Sequence, residues 1–356
     1  MLNTSSAKIE KMIIHQVGNK GREEECIFSE LSIQPSESLE ALLIEHYLAP
    51  LAELEDTFDF NHEIDPSLNT VSVLSNAIFS TNETHDFERD SSEADTFEGD
   101  AAFQSASIKL AKHLYGVTSH PNIAGGDFII ILFSNLFEGM AETQALGIFK
   151  VESKDDYLDI YDNNGTLEFV EKEGISLKDI QKGALVLAHD MSVLAIDSKK
   201  RTKYWHDDFL NLKSKQTELA ELKAGNDVLK GLSKRIEAPD QHLAFNKGLE
   251  AHLDEHDEIR LSDLENLSKN YMEDQDVNRV FHAAQNKAGF EIDRNIAIPS
   301  HEFREQSQKI MKKMRVAEGI DLVISNKDAY LNSIQIEETP HGFRAVIDFD
   351  TYEPEE

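Results

Sequence analysis

Apolar positions along the chain fall into two regimes. Up to about residue 210, short apolar runs with strand character alternate with a few helical stretches; from Thr217 onward the spacing is helical. Residues 11–17 (Lys-Met-Ile-Ile-His-Gln-Val) predict a strand, Asn19-Lys20-Gly21 a turn, and Cys26 to Ile33 a returning strand. Leu39, Leu42, Leu43, Tyr47 and Leu48 have helical spacing, with Ser36 or Ser38 as cap. Leu68, Val71, Leu74, Ile78 and Phe79 predict a helix over 68–80. Ile108, Leu110, Ala111 and Leu114 predict another over about 103–116, stopping at Gly116. The polar, acidic stretch 81–100 between them predicts an exposed loop.

The middle is rich in strand signals. Gly125-Gly126 leads into Asp127-Phe-Ile-Ile-Ile-Leu-Phe133, whose continuous apolar run marks a buried central strand. Ala145–Val151 is a further strand. Asn163-Asn164-Gly165 is a turn joining Tyr157–Tyr161 to Leu167–Val170. Ala184–Ala188 and Val193–Ile196 form an antiparallel pair around Asp190. After Thr217, helices are expected from Leu219 to Leu232 and near 240–255, 262–272, 276–288 and 302–314. Short strands follow at 322–324, 334–336 and 343–349. The fold class is α+β. Residues 1–210 form a mostly antiparallel sheet with helices covering one face; residues 211–356 form a mainly helical domain with a few short strands.

Composition narrows the function. Asp plus Glu number 67 against 35 Lys plus Arg, a formal net charge of -32. Coating nucleic acid by bulk electrostatics is excluded, because that requires a basic protein. The charge is uneven, however. Residues 51–100 hold fourteen acids and one base, Arg89, whereas residues 199–235 hold ten bases and five acids. Cys26 is the only cysteine, which fits a reducing cytosol and excludes an intramolecular disulfide. The polar N-terminus and the shortness of the run 128–133 predict neither a signal peptide nor a membrane span, placing the chain in the cytoplasm.

Motifs for catalysis and cofactors do not emerge. There is no G-x-x-x-x-G-K-[ST] or G-x-G-x-x-G loop, and no G-x-S-x-G elbow. His252 and His256 are four apart on a predicted helix, but no H-E-x-x-H motif supplies further ligands, so no metal or cofactor is expected. Asp155-Asp156 and Asp207-Asp208 are adjacent acids that point apart on a strand. Asp197-Ser198-Lys199 is a partial match to a metal-dependent nuclease signature, which keeps that activity open as a lesser alternative.

Two basic clusters carry more. Lys199-Lys200-Arg201-Thr202-Lys203-Tyr204-Trp205-His206 combines cations that pair with phosphate oxygens and rings able to stack on bases or sugars. The competing expectation makes Trp205 a core anchor and the lysines a solvated edge. On the predicted helix 302–314, Lys309, Lys312 and Lys313 stand at i, i+3 and i+4 and would share a face, with Arg315 nearby.

The order of several short segments resembles the bacterial 37-kDa nucleoid-associated protein family. They are His15-Gln16-Val17-Gly18-Asn19-Lys20, Leu114-Tyr115, Gly125-Gly126-Asp127-Phe128, the stretch Asp197–Leu212 with Trp205-x-x-x-Phe209-Leu210, and Gly289-Phe290-Glu291-Ile292. The likeness runs from about residue 9 to 350. It implies a cytoplasmic, DNA-associated protein of the nucleoid with no catalytic motif to carry over, in a family often acidic. Direct DNA contact through Lys199, Lys200, Arg201, Lys203, Tyr204, Trp205, Lys309, Lys312 and Lys313 is the leading expectation. The alternative is an acidic interaction module that imitates DNA or docks on basic DNA-handling proteins. Oligomeric state is left open.

Overall fold

The apolar run after Gly126 is continuous because a helical layer covers each face of the strand that carries it. The computed structural model describes residues 2–86, 93–198, 202–317, 319–325 and 330–350. It is a mixed α+β structure that divides into two compact units, Met1–Lys215 and Gln216–Glu356. The first contains strands β1 (Leu2–Asn3), β2 (Lys8–Val17), β3 (Thr57–Phe60), β4 (Gly126–Glu138), β5 (Ala141–Val151), β6 (Asp155–Asn163), β7 (Thr166–Gly174), β8 (Lys182–Leu187), β9 (Val193–Asp197) and β10 (Leu212–Ser214). Its helices are α1 (Glu37–Leu43), α2 (Ala49–Ala52), α3 (Thr70–Asp86) and α4 (Glu93–Val117).

Eight of these strands form one antiparallel sheet in the order β1-β4-β5-β8-β9-β3-β10, with β2 also paired to β4. Alternate residues of β4 enter opposite cores. Phe128, Ile130 and Leu132 pack with Phe103, Leu110 and Leu114 of α4. Ile129, Ile131 and Phe133 pack with Leu43, Tyr47, Leu48 and Leu51, from α1, the π-helical turn Ile44–Leu48 and α2. Helices therefore cover both faces, not one as the sequence suggested. Ser36 caps α1 as expected, accepting from the Leu39 amide at 3.4 Å.

Two other expectations change. Cys26–Ile33 is not a returning strand: its ladder pairing with β2 is limited to the isolated bridges Met12↔Ile33 and Gln16↔Ile27. Between these, the Ser29 amide donates to His15 Nδ1 (3.1 Å) and its hydroxyl to the Ile14 carbonyl, so side-chain bonds displace the ladder. The stretch 81–100 is not one loop, because α3 continues to Asp86 and α4 starts at Glu93; residues 87–92 lie outside the described residues. By contrast, the β6–β7 hairpin forms as predicted. Its Asn164-Gly165 loop has φ of 52° and 89°, the mirror-image turn that matches strand twist.

The second unit contains α5 (Glu218–Arg235), α6 (Pro239–Glu255), α7 (Leu261–Ser268), α8 (Asp274–Ala288) and α9 (Ser300–Met311). Three two-stranded ribbons accompany them: β11 (Glu258–Arg260) with β12 (Ala297–Pro299), β13 (Lys313–Ala317) with β14 (Ile320–Val323), and β15 (Tyr330–Thr339) with β16 (Gly342–Asp350). Thr217 caps α5 through the Ala220 amide at 3.1 Å. Gly231 is tolerated inside α5 because a Cβ there would lie 2.5 Å from Val280 Cγ1 of α8. The predicted helix 302–314 stops at Met311. Met314 instead turns into β13 and joins a separate small core with Leu331 and Ile334.

His15 illustrates how tightly the sheet and α4 are joined. Nδ1 accepts from Ser29, so Nε2 carries the proton and donates to Ser107 of α4 at 3.0 Å. Burial pushes the imidazole pKa down from 6.5 to about 4. The neutral ring therefore contributes stability that is present above about pH 6.5 and lost as pH falls toward 4. An NMR titration is expected to show the His15 ring still neutral at pH 5, when exposed histidines are protonated.

Candidate nucleic-acid interface

The first basic cluster begins where β9 ends. Lys199, Lys200 and Arg201 lie outside the described residues, but the groups on either side are fixed. Asp197 pairs with the Nζ of Lys182, its register partner on β8, and accepts from the Thr202 hydroxyl at 2.7 Å. The Thr202 amide donates to the same carboxylate. Burial alone would raise the pKa of Asp197, but donation by Lys182 and Thr202 outweighs it and holds the carboxyl below its usual range. One charged carboxylate thus ties down both residues that bracket 198–201.

The aromatic half of the cluster faces inward. A π-helical turn, Tyr204–Phe209, carries Trp205 into the first core with no exposed surface, where it stacks on Phe209 at 5.1 Å. The Tyr204 hydroxyl donates to Glu152. Its ring centroid lies 4.8 Å from Lys150 Nζ and 5.8 Å from Lys182 Nζ. Burial, followed by the Glu152 contact, pushes the phenol pKa upward, so it stays protonated. Neither ring offers a face to a base or sugar, which corrects the stacking expected of Tyr204 and Trp205. Lys203 is exposed and has no ion pair among the described residues.

The second cluster is rearranged. Lys309 lies in the last turn of α9, Lys312 just beyond it, and Lys313 in β13, where it pairs with Asp321 at 2.8 Å. The three do not share a helix face, because the helix has ended. Instead Lys309, Lys313 and Arg315 meet Lys230 and Lys234 of α5 around a cleft of about 1250 Å³, to which Glu237 and Asp321 contribute opposing charge. Lys230, Lys234 and Lys309 are exposed without an ion pair among the described residues.

The same cleft is lined by Ser233 and His242, which are 6% and 3% exposed. The Ser233 hydroxyl and both His242 ring nitrogens have no hydrogen-bond partner among the described residues. Burial lowers the pKa of His242, so the ring is neutral. Buried polar atoms without partners cost stability unless a ligand or water satisfies them. Here they accompany three unpaired ammonium groups, a combination suited to phosphate oxygens. Lys230 and Lys234 stand out in sequence as cations, but nothing in the sequence brings them to Lys309.

The remaining candidates assemble nothing further. His252 and His256 stack at 4.3 Å around the end of α6, and His256 Nδ1 lies 3.0 Å from the His252 carbonyl oxygen. Asp207 and Asp208 sit on the π-helical turn and Asp155 and Asp156 on β6. Among the described residues, no three His, Cys, Asp or Glu side chains converge as metal ligands. No described helix is long and apolar enough to cross a membrane.

A family model described as nucleoid-associated protein YejK matches residues 13–329, spanning most of the sheet, both basic clusters and the cleft. The chain belongs to that family. No curated protein matches it. Membership in the YejK family associates the chain with the bacterial nucleoid, as the short segments quoted above implied.

The Lys182–Asp197 contact gives a stability prediction for this YejK-family chain. Lys182→Met removes the buried ammonium that faces the Asp197 carboxylate and is expected to lower unfolding stability by about 3 kcal/mol. Urea titration at pH 7 measures this. Adding Asp197→Asn to the same chain is expected to recover part of the loss.

Proposed function

We propose that this nucleoid-associated chain contacts DNA directly, gripping the phosphate backbone without catalysing a reaction. The observation that supports this most strongly is the cleft of the second unit. Lys230, Lys234 and Lys309, which have no ion pair among the described residues, and the nearby Arg315 surround buried Ser233 and His242, whose polar atoms have no hydrogen-bond partner among them. On a chain of net charge -32, exposed cations with no ion pair among the described residues stand out. Lys203, with Lys199, Lys200 and Arg201, supplies a second set of phosphate contacts in this reading, and Lys313 lines the cleft beside the first.

The overall charge governs how such binding behaves. Repulsion between the anionic surface and DNA is screened beyond roughly 8–10 Å at physiological salt, whereas ammonium–phosphate contacts act at hydrogen-bond distance. Backbone contacts carry little sequence information, so preference among sequences is weak. The four cations of the cleft alone give a salt slope near -4, hence a loss of at least about 10²-fold in affinity between 50 and 200 mM salt.

Fluorescence anisotropy with a labelled duplex at those two salt concentrations tests the reading. The variant Lys230→Glu/Lys234→Glu/Lys309→Glu is expected to bind at least about tenfold more weakly at 50 mM salt and to show a shallower slope. Its thermal melt is expected to match the parent, since all three side chains are exposed. Unchanged affinity in a folded variant would remove the cleft from DNA binding.

A further inference from the structure

The β6–β7 ribbon pairs with no other strand among the described residues, and every residue from Asp155 to Glu173 on its two strands is exposed. Directly opposed residues of an antiparallel pair point to the same face. One face therefore groups Ile160 with Phe169, Leu158 with Glu171, Asp162 with Leu167 and Asp156 with Glu173. Its four apolar side chains are 62–73% exposed: Leu158 62%, Ile160 62%, Leu167 71% and Phe169 73%. The opposite face holds the ribbon's only base, Lys172, committed to Asp159 at 2.5 Å. The apolar face thus carries four acids and no cation.

An isolated two-stranded ribbon is marginal in water, and a clustered apolar patch rimmed by charge is the pattern of a contact surface. The rim identifies what fits it. A DNA strand would set phosphates against four carboxylates. A second copy seated face to face would set eight carboxylates together, and like charges brought together at an interface disfavour binding. We propose that this face docks a protein partner whose own apolar residues are flanked by lysine or arginine. The apolar centre supplies burial, while the acidic rim supplies orientation and excludes other partners. This reading is independent of DNA contact through the cleft, since the two use different residues and opposite charge.

The full chain can be titrated with a fluorescein-labelled amphipathic peptide built from leucine and lysine, and with its leucine–glutamate counterpart. The leucine–lysine peptide is expected to bind and the glutamate version not. Ile160→Ser/Phe169→Ser, which leaves the net charge untouched, is expected to weaken binding at least tenfold, and Asp162→Lys/Glu171→Lys to weaken it comparably. Duplex affinity is expected to stay as in the parent for the serine variant. Equal peptide binding by the parent and a folded serine variant would show only general attraction to an acidic protein and would overturn the proposal. So would a dimer in sedimentation velocity that the serine variant converts to monomer, because the occupant would then be a second copy.

Discussion

Two lysines buried side by side set the constraint on which the first unit depends. Lys150 of β5 and Lys182 of β8 are register partners, and the side chains of both are fully buried. Cations so placed are tolerable only if compensated. Lys150 donates to the Ala124 carbonyl at 2.8 Å and has Glu152 at 3.7 Å; Lys182 has Asp197. The Tyr204 ring lies close to both ammonium groups and its hydroxyl bonds Glu152. Compensation therefore requires Tyr204 and Thr202 to sit where they do. That placement in turn carries Trp205 and Phe209 into the core against Phe128 of the central strand.

This coupling explains why a cationic segment and a hydrophobic anchor adjoin in the sequence. The aromatic residues hold the segment to the sheet from within, and Lys203, the cluster's described lysine, is exposed. In the second unit the arrangement differs. Lys287 with Asp227 and Arg235 with Asp276 are paired, at 2.6 Å and 2.7 Å, while Lys230, Lys234 and Lys309 have no ion pair among the described residues. Cations are distributed unequally between surface ion pairs, which contribute little stability, and a cleft where Ser233 and His242 have no hydrogen-bond partner among the described residues.

Much of the sheet was legible because its strands announce themselves by length and composition. Asp127–Phe133, Ala145–Val151 and the hairpin around Asn164-Gly165 need no tertiary information. Thr57–Phe60 was missed because a four-residue strand between β9 and β10 has no period of its own. The segment Cys26–Ile33 misled because its alternation was strand-like, while Ser29 and His15 had taken the positions the ladder needed. The site was less legible than the fold. Helical periodicity put Lys309, Lys312 and Lys313 on one face, but Met314 leaves the helix to pack with Leu331 and Ile334 in a separate core. Convergence of α5, α9 and β13 is a tertiary fact that local spacing does not encode.

The two-sided burial of the central strand also bears on how freely the sequence can drift. From Phe128 to Phe133 every side chain enters one core or the other, so no position offers a tolerant face. A hydroxyl or amide introduced at any of the six would lose its water without finding a partner. Ile130 and Ile131 are therefore limited to aliphatic exchange of similar volume, and any larger change needs a compensating one in α4 or in the opposite helical layer.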